Sequence, residues 1–218
     1  YDIGPTKVIL VLTDTCAVMQ KAWEIVEDEF PWISCGPCQT HCPSLLLKDI
    51  AKLEEPAAVI KEENTVVSWF SNHHKPLSIL RKKVSETFRG KTKELKKPGA
   101  TRMGTNTFVG ERLVELKPCL QATMVDPDYV AQNYKDLPSS ADMSNCQTIT
   151  RENKGGTAKA LVMDDNGFWK RVENHVTVSM PVCKFLHRHD TSAPAAGKVY
   201  HGWFEVGQHL EDSSVPYA

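Results

Sequence analysis

The sequence predicts a short α/β unit at its beginning and a mainly helical chain after it, helix-rich overall. Three observations carry that expectation. The unbroken apolar run Val8-Ile9-Leu10-Val11-Leu12 closes on Thr13-Asp14. An amphipathic stretch and a second short apolar piece, Trp32-Ile33-Ser34-Cys35, follow it. From Ser44 onward the apolar residues recur at helical rather than strand spacing.

Continuous Val, Ile and Leu over residues 8–12 suit a strand covered on both faces. Thr15 stands where a helix cap belongs, and Ala17, Val18, Trp23, Ile25, Val26 and Phe30 supply an apolar face up to Pro31, which ends the helix. Residues 32–35 then form a second strand, parallel to the first through a helical crossover. Two parallel strands bury too little surface to stand alone, so further strands are expected from elsewhere, and the open edge of strand 7–14 is expected to cause aggregation or to need partner chains.

Beyond this unit, Leu45, Leu46, Leu47, Ile50 and Leu53 form one helical face, and residues 59–80 form another with Val66, Val67, Trp69 and Phe70. Residues 107–132 are helical in period, with Phe108, Leu113, Leu116 and Leu120 as core candidates. Residues 136–157 are rich in Ser, Asn, Thr and Gly and read as a loop or linker. Phe168-Trp169 opens another helix with Val172 and Val176, and the tail carries Tyr200, Trp203 and Phe204. The expected organisation is an α/β piece over 1–50, helices over 51–135, a flexible linker over 136–160 and further helix over 161–218.

Bulk properties exclude several classes. The 218 residues are 41% apolar and 24% charged, as in ordinary globular domains, and the net charge of −1 advertises no global affinity for nucleic acid. Seven scattered cysteines, an odd number, fit reduced thiols in the nucleus or cytoplasm better than a disulfide framework. No apolar run approaches the roughly 20 residues that span a bilayer, so no membrane role is expected.

Three constellations bear on chemistry. Asp14 at the tip of a strand is either a turn or capping residue or a carboxylate that holds a divalent metal. One carboxylate alone does not make a two-metal site. Cys35, Cys38, His41 and Cys42 offer four soft ligands in a C-x-x-C-x-x-H-C array, which raises zinc. Structural zinc sites usually gather two ligand pairs about a dozen residues apart, so His41 and Cys42 in a first helical turn, with Cys35 and Cys42 packed as small apolar residues, is the simpler expectation. Residues 81–97 carry eight Lys or Arg against two Glu and lead into Arg102. Such a run is a solvated helix face or a sequence-independent contact to nucleic-acid phosphates. His73, His74, His187 and His189 read as surface residues.

These residues together resemble a known group. Val11-Leu12-Thr13-Asp14, the helix after it, and Pro37-Cys38-Gln39-Thr40-His41-Cys42 running into Leu45-Leu46-Leu47-Lys48-Asp49-Ile50 are similar to the core of hAT-superfamily transposases. The likeness is to the branch carrying a domain of unknown function common in plant and protist hAT-like proteins. Thr101-Arg102-Met103-Gly104-Thr105-Asn106 resembles the family's Thr-Arg-aromatic motif, and Phe168-Trp169 its Phe-Trp segment. Arg188-His189-Asp190, Pro194, Gly197 and Tyr200 resemble its Arg-x-Asp…Pro…Gly…Tyr stretch. The likeness is collinear over most of residues 7–206.

The resemblance implies an RNase H-like catalytic core interrupted by a helical insertion, which cuts and joins DNA with three acidic residues and Mg2+ or Mn2+. Asp14 would match the second acid, Cys38 and His41 the C-x-x-H motif beside the active site, and Arg102 the arginine that works on flanking DNA. From the basic run itself, and not from the resemblance, Lys82, Lys83 and Lys97 are the further DNA contacts expected. The other two acids have no counterpart in residues 1–218, Met103 replaces the aromatic, and Pro43 enters a helix start. The chain is therefore expected to be an internal fragment, DNA-binding, capable of self-association, inactive by itself and without bound metal. A domesticated DNA-binding or dimerising protein and a zinc-stabilised module on Cys35, Cys38, His41 and Cys42 are the alternatives.

Overall fold

Two short parallel strands and a set of helices make up the computed structural model, which describes residues 4–99, 104–132, 154–190 and 196–217. A single 3-10 turn, Pro5–Lys7, leads into β1 (Leu10–Thr13), and α1 (Ala17–Glu29) crosses over to β2 (Ser34–Pro37). The strands pair in parallel, Leu10 opposite Ser34 and Thr13 opposite Pro37. The expected strand–helix–strand unit is present, with β2 displaced two residues from the apolar piece that suggested it. Cys16 rather than Thr15 takes the N-cap position of α1, without a side-chain capping bond, and Phe30 is its C-cap, just before Pro31.

Helices α2 (His41–Ile50), α3 (Glu54–Asn72), α4 (His74–Thr87), α5 (Thr105–Met124), α6 (Pro127–Val130), α7 (Lys154–Met163), α8 (Phe168–His189) and α9 (Ala196–Glu211) follow. The apolar period of 59–80 reads through a real break at His73, whose backbone is extended. Pro76 explains the break: in a continuous helix its ring would meet the carbonyl of Asn72, whereas in the first turn of α4 it is harmless. Pro127 ends the 107–132 period in the same way, and Asp126 caps the short α6 through the Asp128 N–H. Residues 133–153 lie outside the described residues, and α7 occupies 154–163 within and beyond the stretch read as linker. Its Ala158 and Val162 are fully buried, one turn apart.

The chain divides into two compact units, Tyr1–Asp49 with Pro181–Asp212, and Ile50–Met180 with Ser213–Ala218. The second holds the larger core. Val59, Val66 and Phe70 of α3 pack with Leu113, Leu116 and Leu120 of α5 and with Phe168, Trp169 and Val172 of α8. The buried indole N–H of Trp169 donates to the Val162 carbonyl at 2.8 Å. Asp164 closes the start of α8, its two carboxylate oxygens accepting from the Gly167 and Phe168 N–H groups at 2.9 Å each. Gly167 is required there, because a Cβ would stand 2.1 Å from Asp164 Oδ2. Phe108 is only partly buried beneath the Lys96 ammonium; Thr107 and Val109 take the core positions beside it.

The first unit is thinly covered. No residue of α1 is buried, and Ile9, Leu10, Leu12, Val18, Ile25 and Trp32 are exposed. The fully covered strand expected from Val8 to Leu12 is therefore not found, since β2 is the only strand beside it among the described residues. Trp23 donates to Thr13 Oγ1 at 2.9 Å, Trp32 to the Pro5 carbonyl at 3.1 Å, and Glu27 accepts from the Cys35 N–H at 2.7 Å. Elsewhere in this unit Val182, Phe185 and Val206 are buried, with the Trp203 ring tilted against that of Phe185, centroids 4.7 Å apart. Among the described residues no helix is long and apolar enough to cross a membrane.

Candidate functional site

The carboxyl ends of β1 and β2 are adjacent. Because Thr13 faces Pro37 in the register, the next residues, Asp14 and Cys38, leave the two strands side by side. The Cys38 N–H donates to the Thr13 carbonyl at 2.6 Å, which extends the ladder to its last step. In sheets of this class, ligands gather outside the carboxyl ends of parallel strands. Asp14 is exposed there, while Cys38 and His41 are half-buried.

Cys38 opens α2. Its carbonyl accepts from the N–H groups of His41 and Cys42 at 3.0 and 3.3 Å, and its Sγ lies 3.0 Å from Thr40 Oγ1. The Thr40 hydroxyl holds the thiol below its ordinary value, assisted by the Thr40 and His41 backbone amides and opposed by partial burial and by Asp190. Thiols at helix N-termini are commonly shifted this way, since the unpaired amides favour the thiolate. Cys35 is shifted the opposite way, by desolvation and then by Glu27. Residues 35–37 are extended, so the Cys35 and Cys38 Cα atoms stand about 10 Å apart, beyond the ~7 Å that a disulfide can bridge. Among the described residues, no group of three or more His, Cys, Asp or Glu side chains is placed to hold a metal ion. The donor set at the strand tips thus does not fit a two-metal centre, with Asp14 as its one carboxylate from the strands.

Half of the basic segment is paired with carboxylates. Arg81 binds Glu94 at 2.9 Å, Lys93 binds Glu115, Lys96 approaches Glu111 at 3.6 Å, and Lys83 binds Asp126 at 2.8 Å. The hydrogen bond to Asp126 raises the Lys83 pKa, and its counterpart lowers that of Asp126. Lys82 and Lys97 are exposed. Arg102 lies outside the described residues. His73 and His189, expected at the surface, fold back instead: each is half-buried, 3.8 Å from the Trp69 ring and 4.3 Å from the Phe185 ring respectively. Their Nδ1 atoms meet the carbonyls four residues earlier at 2.7 and 2.8 Å, which keeps both imidazoles on their own helices.

One pair escaped the sequence reading altogether. Glu63 on α3 is 1% exposed and His175 on α8 is 2% exposed, with Oε1 and Nδ1 3.2 Å apart. The signal was present. Glu63 stands in the apolar stripe of Val59, Val66 and Phe70, and His175 in that of Phe168, Val172 and Val182. Burial raises the Glu63 pKa, and His175 pulls it back. One turn earlier on α8, Arg171 grips the neighbouring Glu62 at 2.8 and 3.0 Å. Comparison with protein-family models, curated proteins and solved structures finds no match to this chain.

Proposed function

We propose that this chain is a portion of a hAT-like DNA transposase, or of a protein derived from one, that binds DNA and is catalytically incomplete by itself. The observation that carries the reading is the register of β1 and β2, which leaves Asp14 and Cys38 on adjacent strand tips with His41 in the following helical turn. The sparse cover of β1 and α1 adds support, since a parallel pair is normally an inner part of a larger layered sheet. The reaction of such a core is attack of water or a 3′-hydroxyl on a DNA phosphodiester. In it Asp14 is a metal-ligand position, Cys38 and His41 shape the pocket, and Arg102, Lys82, Lys83 and Lys97 lie along the DNA. The nucleus or cytoplasm and a self-associating protein go with this reading.

The test uses the purified chain. Duplex DNA binding should weaken as salt rises and should weaken further in Lys82→Glu and Lys97→Glu, and no Mg2+- or Mn2+-dependent nicking should occur. Nicking that Asp14→Asn abolishes would overturn the incomplete-enzyme reading, and salt-insensitive or absent DNA binding would overturn the DNA reading. A second reading, a domesticated DNA-binding or dimerising protein that kept the scaffold without the chemistry, is favoured by the exposure of Lys82 and Lys97.

A further inference from the structure

Helix α4 carries cations that its packing does not use. Pro76, Ile79, Leu80 and Val84 are buried, which leaves Lys75, Ser78, Lys82 and Ser85 along the exposed face. On the flanks Arg81 and Lys83 are answered by Glu94 and Asp126. Among the described residues Lys75 and Lys82 form no ion pair, Lys82 acting on Asp126 only at longer range, and Glu86 is the one acid of the helix. The end of α4 is strained. Phe88 is its C-cap, and the Gly90 N–H donates to the Ser85 carbonyl at 2.8 Å, the closing bond of a Schellman turn. Such a turn puts one left-handed residue directly after the cap, a position that glycine fills without strain. Here that residue is Arg89, at φ 53°, and the glycine comes one position later, at φ 81°. Among the described residues Arg89 is the only one other than glycine with a positive φ, and it is exposed and in no ion pair. No packing accounts for an arginine there, and backbone strain retained in a fold points to a use for the side chain.

We propose that the outer face of α4, ending in Arg89, is a sequence-independent ridge for the phosphates of duplex DNA, and that the left-handed backbone is kept for the arginine's contact. The inference deepens the DNA reading and rests on it. Lys75 and Lys82 stand seven residues apart, about 10.5 Å along the helix. Phosphates of one strand recur about every 3.4 Å along a duplex axis, so the two ammonium groups match positions about three nucleotides apart. Ser78 and Ser85 add hydroxyl donors on the same face, which phosphate oxygens accept. Arg89 adds a planar fork of donors, suited to a phosphate in a way a single ammonium is not. The class of partner follows from what the face lacks. Helix α4 contains no Phe, Tyr or Trp to stack unpaired bases and no Asn or Gln to read base edges. None of its apolar residues is exposed, which leaves no wedge to enter a lipid surface.

Fluorescence anisotropy of the whole chain with two duplexes of unrelated sequence, over a salt series, tests this alongside melting curves. Arg89→Gly should bind both duplexes about tenfold more weakly at about 0.1 M salt, with a salt slope shallower by about 0.9, the release of one phosphate contact. It should nevertheless melt at a higher temperature, because glycine relieves the turn. Arg89→Ala should lose the same affinity without that gain, and Arg89→Lys, which keeps the charge, should keep the slope. Lys75→Gln should shallow the slope by about 0.9 and leave melting unchanged. Binding that Lys82→Glu weakens, but that Arg89→Gly and Lys75→Gln leave untouched, overturns the ridge while the DNA reading stands. No salt-dependent binding by the unmodified protein overturns both. A lower melting temperature for Arg89→Gly makes Arg89 a structural cap and overturns its assignment. Equal affinity for single strands, or for vesicles of phosphatidylcholine and phosphatidylserine, overturns the duplex as partner. If Arg89→Gly does not fold, the slopes of Arg89→Ala and Lys75→Gln decide the matter.

Discussion

The Lys83 ammonium lies 2.8 Å from the Asp126 carboxylate, and the same carboxylate caps α6 by accepting from the Asp128 N–H at 3.0 Å. One side chain of the basic segment thus ties α4 to the start of another helix. Charge reversal at Lys83 should lower the melting temperature as well as weaken DNA binding. Reversal at Lys82 or Lys97 should weaken binding alone and shallow the salt dependence by about one counterion each. Melting curves alongside salt titrations separate the two effects. Equal melting temperatures for Lys83→Glu and the unmodified protein would show that the pair contributes nothing to the fold.

Cys38 is expected to be the most easily alkylated of the half-buried thiols. Because its pKa is lowered, thiolate is present at lower pH than for an ordinary cysteine near 8.5, and the iodoacetamide rate should reach its half-point below that of Cys35. Removing the hydroxyl donor in Thr40→Val should move the half-point upward. Peptide mapping by mass spectrometry at a series of pH values reads both, and a Cys35 that titrates first contradicts the assignment.

Asp164→Ala strands two amide donors at the start of α8 and should cost about 1 kcal/mol of stability. Gly167→Ala should also destabilise, because its methyl group collides with the Asp164 carboxylate. Chemical denaturation of the two variants and of the double variant checks this. The double variant should be less than additive, since both changes act on one cap.

Glu63 has a definite sign in the pH dependence of stability. Its folded pKa lies above the usual carboxylate value of 4.5, so its contribution is present below that value and is lost as pH rises through the folded pKa. Glu63→Gln should therefore gain stability relative to the unmodified protein as pH rises above about 4.5. A difference in melting temperature that shrinks with rising pH would contradict burial as the dominant influence.

The exposed Leu10 and Leu12 of β1 should make the protein associate as concentration rises. Leu12→Lys, which places a charge beside the strand edge, should reduce that association. Sedimentation velocity over a range of concentrations measures it. A cooperatively melting, monodisperse unmodified monomer shows the edge to be harmless.

Legibility varied with the range of the interaction. The strand–helix–strand order, the helix-rich remainder and the core positions Leu113, Leu116 and Leu120 were visible because each depends on neighbours within a few turns. The break at His73 could have been read from Pro76, a local signal outweighed by apolar period. The Glu63–His175 pair could have been suspected from polar residues on apolar stripes. Nothing local could say that they meet across 112 residues.

By itself the sequence determined the strand–helix–strand opening, the helix-rich remainder and the placing of Asp14 at the end of a strand, because backbone preference and hydrophobic period act over short distances. Only the tertiary structure decided that Asp14 and Cys38 leave adjacent strands together, that Lys83 is held by Asp126, and that a carboxylate and an imidazole share the helical core. Those outcomes depend on register, close approach and desolvation, which exist only once distant segments have packed.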